Sequence, residues 1–362
     1  MKSGDRKRIS RREFLYGSGA LVFATIAGFP AILKRGRALA AEIDKPVTMG
    51  IWGGSLGAAA KKTFVPMFEK KYNVKVNVIE AWNNPRLTQL KIQKSNPQMD
   101  VAFFTDQIIP TVNASGVTQK INPDTIPNLK FSHPKIIDPN RNFILFQYGS
   151  WGIMYNEDKI KPKPTSWNDL LDPKYRGKLT SPDISYSSSY ITLVAMARLG
   201  GGDENNLEPG FKNLKVLRGL SPTFWTQDHQ LDNMMKQEEV WMSSYFSGNT
   251  WSLNRRQGLK SAQFADPKEG SYLVGLCMTK VANCPNPKGA DLLMNLILDP
   301  EAQAAYSTEQ FTAPANMESK LSAELKQMVP YGDKVEKLNF ANWGILDGKK
   351  DAIAERWMKE IR

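Results

Sequence analysis

The 362-residue sequence predicts an α/β fold of two lobes, each a mainly parallel sheet flanked by helices, joined by hinge strands that pass between them. Three observations predict it. Residues 47–104 alternate strand, helix, strand, helix, strand, the order of a parallel sheet with covering helices. Past an N-terminal leader about 320 residues remain, more than one hydrophobic core usually serves. Residues 143–146 and 152–155 read as strands in near-continuous register around 147–151, as expected of one chain running from one lobe into the other.

The leader comes first in order. Ser10-Arg11-Arg12-Glu13-Phe14-Leu15 is a twin-arginine pair with Phe and Leu behind it, ahead of an apolar stretch at 17–33 interrupted by Gly17, Gly19, Gly28 and Pro30. Lys34, Arg35 and Arg37 follow, then Ala38-Leu39-Ala40. Residues 1–40 therefore read as a twin-arginine (Tat) signal peptide, cleaved near Ala40/Ala41. The Tat translocase is the expected partner during export, and the periplasm the expected location. The stretch is shorter than the ~20 strongly apolar residues that a membrane span needs, and no later apolar run is long enough either.

Charge excludes one class of partner. The chain is +12, but residues 1–40 carry nine basic and two acidic side chains, which leaves +5 for the remainder. Lysines and acids alternate along that remainder, with no stripe of basic residues interleaved with aromatics, so no nucleic-acid partner is expected. The two cysteines, Cys277 and Cys284, would work in an oxidising compartment. A bridge would close an eight-residue loop worth roughly 2.5 kcal/mol. Spacing leaves open a disulfide or two buried thiols.

Along the chain, residues 47–52 form a short strand stopped by Gly53-Gly54. Residues 56–72 have helical spacing, with Ala60, Phe64, Met67 and Phe68 on one face, and Pro66 should kink that helix. Strand, helix and strand follow at 74–81, 85–94 and 100–104. After a Pro-rich stretch with a short helix at 167–171, residues 185–199 form a helix that ends at Gly200-Gly201-Gly202. A helix at 227–236, strands at 239–245 and 272–279, and helices at 287–298 and 301–308 complete the pattern. No repeat or flexible tether interrupts it.

Three groups of residues carry a resemblance. Gln147-Tyr148-Gly149-Ser150-Trp151-Gly152-Ile153-Met154-Tyr155-Asn156 is one, Pro164-Thr165-Ser166-Trp167-Asn168-Asp169-Leu170 with Tyr175-Arg176-Gly177-Lys178-Leu179 the second. Pro267-Lys268-Glu269-Gly270 and the stretch from Gly289 to Glu301 are the third. Together they resemble the bacterial extracellular solute-binding proteins of ABC importers, most closely the spermidine/putrescine-binding branch, whose relatives also bind thiamine, ferric ion and phosphonates. The resemblance runs from about residue 47 to the C-terminus. It implies the type II periplasmic-binding-protein fold, with crossings near 147–151, 274–276 and 312–314. Lobe one would be 45–148 and 276–312, lobe two 149–275 and 313–362. It also implies a monomer with no cofactor, whose partners are a small-molecule solute and an ABC permease in the inner membrane, and no catalysis.

Ligands of open α/β sheets sit at the carboxyl ends of strands, so the informative loops follow the strands. Gly53, Gly54 and Ser55 bring backbone N–H groups and a helix start to an anion. Arg86 is a candidate clamp for a carboxylate or phosphonate. Asn83 and Thr105 lie in neighbouring loops, and Asp106 and Asp183 are placed to meet an amine. Trp52, Trp82, Trp151, Tyr186, Tyr245, Phe246, Trp251 and Trp343 are candidate aromatic walls, while Trp167 and Trp241 read as core. Polyamine binders of the family carry an acid two places beyond a tryptophan in the strand after Pro-Lys-Glu-Gly, where this chain has Val274-Gly275-Leu276, and a second acid where it has Tyr186. A dication needs paired carboxylates. The expected solute is thus a small organic molecule with an anionic or zwitterionic end, with polyamine binding as the alternative. Ferric binders use adjacent tyrosines, and Tyr245-Phe246 offers one. No metal-ligand set is expected, and no H-E-x-x-H, C-x-x-C, G-x-S-x-G or P-loop motif supports an exported redox enzyme or hydrolase.

Overall fold

The computed structural model describes Ile43 and residues 45–362; the Tat signal and its cleavage site lie outside the described residues. From Ile43 onward the chain forms one compact unit. Its first elements are β1 (Val47–Ile51), α1 (Gly54–Lys62), α2 (Phe64–Tyr72), β2 (Val76–Glu80), α3 (Asn83–Ile92), β3 (Val101–Thr105), α4 (Ile109–Ser115) and the two-residue β4 (Thr118–Gln119). β1 lies parallel to both β2 and β3. The expected single helix over 56–72 is two helices, broken at Thr63, whose hydroxyl donates to Ala59 O at 2.7 Å. The break precedes Pro66 because the proline, with no N–H to give to the preceding turn, fits within the first turn of the second helix.

Two long strands organise the rest. β5 (Ile144–Asn156) is a single 13-residue strand, buried throughout, where two shorter ones were expected. After β6 (Leu179–Thr180) come α5 (Ser189–Leu199), α6 (Glu208–Leu220), α7 (Asp228–Lys236), β7 (Met242–Phe246), α8 (Ser247–Arg255), β8 (Ala262–Ala265) and the buried β9 (Tyr272–Val281). α9 (Pro287–Ile297), α10 (Pro300–Gln310), β10 (Ala313–Pro314), α11 (Ala323–Met328), α12 (Trp343–Asp347) and α13 (Lys350–Glu360) complete the chain. β5 and β9 run antiparallel side by side and weld the strands into one mixed sheet of order β2-β1-β3-β9-β5-β7-β6. Its second half is mostly antiparallel, because β7 and β8 both pair antiparallel with β5, leaving only β6–β7 parallel.

Two hydrophobic cores share this sheet. The first gathers residues between Val47 and Tyr148 and between Leu276 and Leu338, with Leu273; the second gathers residues between Trp151 and Val274 and between Leu346 and Ile361. β5 changes core between Tyr148 and Trp151, and β9 does so around Val274 to Leu276. The last crossing differs. Residues 313–362 were assigned to the second lobe, but Ala313, Leu325, Val335 and Leu338 bury in the first core. β10 pairs with Gln147 and Tyr148 of β5, which holds the chain on the first side until about Asn339.

Cys277 and Cys284 are both buried free thiols. The bridge that their spacing allowed is absent: Cys277 sits within β9, with Phe104 and Leu145 opposite, while Cys284 lies beyond the strand's end. Burial pushes both thiols up, Cys284 to about 11, so neither is a thiolate at neutral pH. Among the described residues no helix is long and apolar enough to cross a membrane.

Candidate functional site

The carboxyl ends of β1, β2 and β3 meet side by side, and one asparagine ties them. Asn83 opens α3; its Oδ1 accepts from Trp52 Nε1 at 2.9 Å and its Nδ2 donates to Thr105 Oγ1 at 2.7 Å. Behind this rim Arg86 is fully buried, donating to Phe103 O and Ala81 O with its guanidinium over the Trp52 and Phe104 rings. Burial lowers its pKa to about 9, so it stays charged at neutral pH. Arg86 is therefore a pillar under the loops rather than a clamp for a ligand, and Trp52, also fully buried, belongs to the core rather than to an aromatic wall. Trp82 is the opposite case, 64% exposed.

α1 begins in this same group of loops. Gly53 is its N-cap and makes no side-chain cap, Gly54 has φ +65°, and a side chain built at Gly54 would meet nothing within 4 Å. Gly53 is half-buried and Gly54 and Ser55 are exposed, so the first turn of α1, whose N–H groups have no partner within the helix, lies at the surface. One carboxylate stands beside them: Glu80, at the end of β2, has an oxygen 3.5 Å from a Cβ built on Gly53 and pairs with Lys61 at 2.6 Å.

The facing wall belongs to the second core. Trp82, Asn83 and Gln107 on one side and Ile184, Tyr190 and Trp343 on the other line a cavity of about 390 Å³. Trp343 crosses the gap, its Nε1 donating to Asp106 Oδ2 at 3.1 Å, and Thr111 Oγ1 donates to Asp347 at 2.8 Å. Burial raises Asp106 to about 7 against the hydrogen bonds from Trp343, Gly275 and Gln107. On the same side of the molecule as the second core, Asp228 at the start of α7 receives the hydroxyls of Tyr186 (2.9 Å) and Tyr245 (3.1 Å), and Asn249 Nδ2 donates to Tyr245 Oη at 3.2 Å. Tyr186 stacks on Trp151 and meets Trp225 edge to face at 4.6 Å; Trp225 in turn meets Tyr245 at 5.4 Å. Asp232, one helical turn along α7, keeps a buried carboxylate oxygen without a partner. Burial raises both Asp228 and Asp232, and the tyrosine hydroxyls pull Asp228 back. The outcome is an exposed carboxylate held by two tyrosine hydroxyls, with the Trp225 and Tyr245 rings buried behind it.

The chain thus has two cores that share one sheet, with side chains facing each other across a cavity between them. A family model described as bacterial extracellular solute-binding protein matches residues 96–344. The chain belongs to this family. It is a solute-binding protein and not an enzyme. Over 312 residues this solute-binding protein is 26% identical to the spermidine/putrescine-binding periplasmic protein of Salmonella typhimurium, covering 82% of this chain and 86% of the relative. It is 23% identical to a putative 2-aminoethylphosphonate-binding periplasmic protein of the same organism, covering 81% and 85%. Among solved structures, an ABC transporter protein from Clostridium perfringens superposes with a TM-score of 0.78 at 22% identity, covering 87% of this chain and all of the other. The fold is the mixed α/β fold of type II periplasmic binding proteins.

The residues singled out from the sequence divide accordingly. Trp82, Asn83 and Trp343 line the cavity, Thr105 and Asp106 are tied to it through Asn83 and Trp343, Gly53, Gly54 and Ser55 form the start of α1, and Tyr186 and Tyr245 meet at Asp228. Trp151 is buried behind Tyr186, with its Nε1 on Thr192 Oγ1 at 3.0 Å. Phe246 covers Gly149 of β5, at 2.6 Å from a built Cβ, and so sits on the hinge strand. Asp183 is not free to meet an amine: burial would raise it, but Arg362 at 2.8 Å and the Ser185 N–H and hydroxyl hold it below the usual carboxylate range, and Trp357 Nε1 donates to it as well. Trp251 donates to Met328 O at 2.9 Å and lines a different cavity. The sequence reading missed Trp225, Asp228 and Asp232. The signal was the spacing of Asp228 and Asp232, i and i+4 at a helix start, which puts two acids on one face.

Proposed function

We propose that the protein is the periplasmic solute-binding component of an ABC importer, exported through Tat by residues 1–40, and that its solute is a small zwitterion bearing a primary amine. The observation that carries this is Asp228, exposed at the start of α7 and held in place by the hydroxyls of Tyr186 and Tyr245, a carboxylate that suits an ammonium by charge, with the half-buried Tyr186 ring beside it. The uncapped start of α1 at Gly53-Gly54-Ser55 supplies N–H groups and positive dipole for an anionic end. Spermidine, putrescine and 2-aminoethylphosphonate, named for the relatives, share the amine and differ at the other end. Two lobes then meet the solute, residues 45–148 with 276–338 on one side and 149–275 with 339–362 on the other. Contacts from both favour the shut state, which a docked permease reads.

A second reading, a polyamine, is favoured by Glu80 beside α1 and by Asp232 near Asp228, which would give a diamine a carboxylate at each end. Titration calorimetry with 2-aminoethylphosphonate, putrescine and ethylphosphonate separates the readings. Tight binding of the aminophosphonate with loss of the deaminated compound supports the zwitterion. Putrescine bound more tightly supports the polyamine, and ethylphosphonate bound as well as its amine sinks both. Gly54→Asp adds a carboxylate at the α1 start in open space. It should abolish aminophosphonate binding and leave the fold intact; unchanged affinity removes the anion loop.

A further inference from the structure

A second and larger cavity, about 670 Å³, is lined in part by Ser150 and Tyr155 of the crossing strand β5. Lys163 and Lys268 stand on its second-core side, and Lys334 and Lys337 on the 3-10 turn Gly332–Lys337, which packs on the first core through Val335. The one carboxylate in the lining, Asp266, accepts from Ser271 Oγ at 2.6 Å. Lys163, Lys268 and Lys337 form no ion pair with any described residue, and Lys334 gives its ammonium to Lys326 O. The floor is apolar, with Phe264, Met328 and Leu338 buried beneath Trp251.

Four ammonium groups against one carboxylate, around a concave floor of low dielectric, focus a positive field into the cavity. Lysines are flexible point charges that suit phosphoryl oxygens and make no planar fork, and four of them from two walls call for an anion of more than one charge. The motif Pro267-Lys268-Glu269-Gly270 has a use here that solute recognition does not give it. Glu269 accepts from Ser166 Oγ at 2.6 Å and from Trp167 N, which anchors the loop and leaves Lys268 at the rim. We propose that this cavity binds a small polyvalent phosphate-bearing anion that bridges the two lobes beside the hinge. Because its lysines ride on both cores, such binding is linked to the angle between the lobes.

The test is calorimetry of the purified full chain with inorganic pyrophosphate at low ionic strength. One-to-one binding is expected, weakening as salt rises toward about 0.15 M. The double variant Lys268→Glu, Lys337→Glu should bind at least about tenfold more weakly, and Lys268→Gln, Lys337→Gln should show an intermediate loss without adding acids. The control Lys91→Glu, Lys212→Glu changes net charge equally on surface outside the cavity and should retain affinity within about twofold. Absence of pyrophosphate binding overturns the proposal, as does an equal loss in the control. Trp251 emission should shift on binding in the wild type only; a shift that persists in the Lys268→Glu, Lys337→Glu variant places the anion elsewhere and also overturns it.

Discussion

Arg86→Leu separates support from recognition at this site. Leucine removes the guanidinium and leaves Phe103 O and Ala81 O buried without donors. Each unpaired carbonyl costs about 1–3 kcal/mol, and losing the cation–π contacts with Trp52 and Phe104 adds about 1 kcal/mol apiece. Relief of the buried charge, the same desolvation that lowers Arg86 to about 9, works in the other direction. The net destabilisation is about 3 kcal/mol. With about 2.1 cal/mol/K of unfolding entropy per residue, that lowers Tm by roughly 4–5 °C. Urea titration followed by tryptophan emission should show a lower midpoint with an unchanged slope. Solute affinity at temperatures where the variant is folded should stay within a few-fold of wild type. A variant with wild-type stability and abolished affinity would refute the structural role and restore Arg86 as a ligand clamp.

Other perturbations address the gap and the hinge. Asp228→Asn keeps the tyrosine hydroxyls as neighbours and removes the charge, so an amine-bearing solute should bind about tenfold to a hundredfold more weakly. Calorimetry reads this, and undiminished binding of the amine rules out Asp228 as its partner. Asp106, raised to about 7 in the folded chain, takes up its proton before the unfolded chain does. Between pH about 4 and about 7 the native state binds more protons, so this group's stabilisation declines as pH rises through that window. Asp106→Asn should flatten the dependence of Tm on pH between 5 and 7; an identical slope in both proteins means another group titrates there. Gly149→Ala places a methyl 2.6 Å from the Phe246 ring. It should cost about 1–3 kcal/mol by forcing that ring to move, and a midpoint equal to wild type would show that the hinge yields freely.

Much of the architecture was written in local pattern. The alternation over 47–104 and the apolar run through 144–156 were legible because strand and helix periods and the burial of a crossing strand leave their mark residue by residue. The last crossing was not legible. Whether 313–338 sits on the first core or the second depends on the pairing of β10 with Gln147 and Tyr148, more than 160 residues earlier in the chain. The helices α6 and α8 were passed over in the sequence; α6 buries an apolar face through Phe211, Leu214, Leu217 and Leu220, whereas α8 buries mainly Ser247, Thr250 and Asn254 beside Leu253 and so carries little apolar pattern.

The candidate site divides in the same way. The glycine turn at Gly53-Gly54 announced itself, since few other residues accept φ +65° ahead of a helix. The roles of charged and aromatic side chains did not. Arg86 and Asp183 looked available, but one was taken by Phe103 O and Ala81 O and the other by Arg362 at the chain's end. Asp228 looked ordinary until the hydroxyls of Tyr186 and Tyr245 reached it from two other segments. The fold class and the glycine turn that opens α1 could be read from the chain alone, because backbone conformation follows from short-range pattern. Which charges remain available to a solute became visible only once the chain was folded, because a side chain's partners come from segments distant in the sequence.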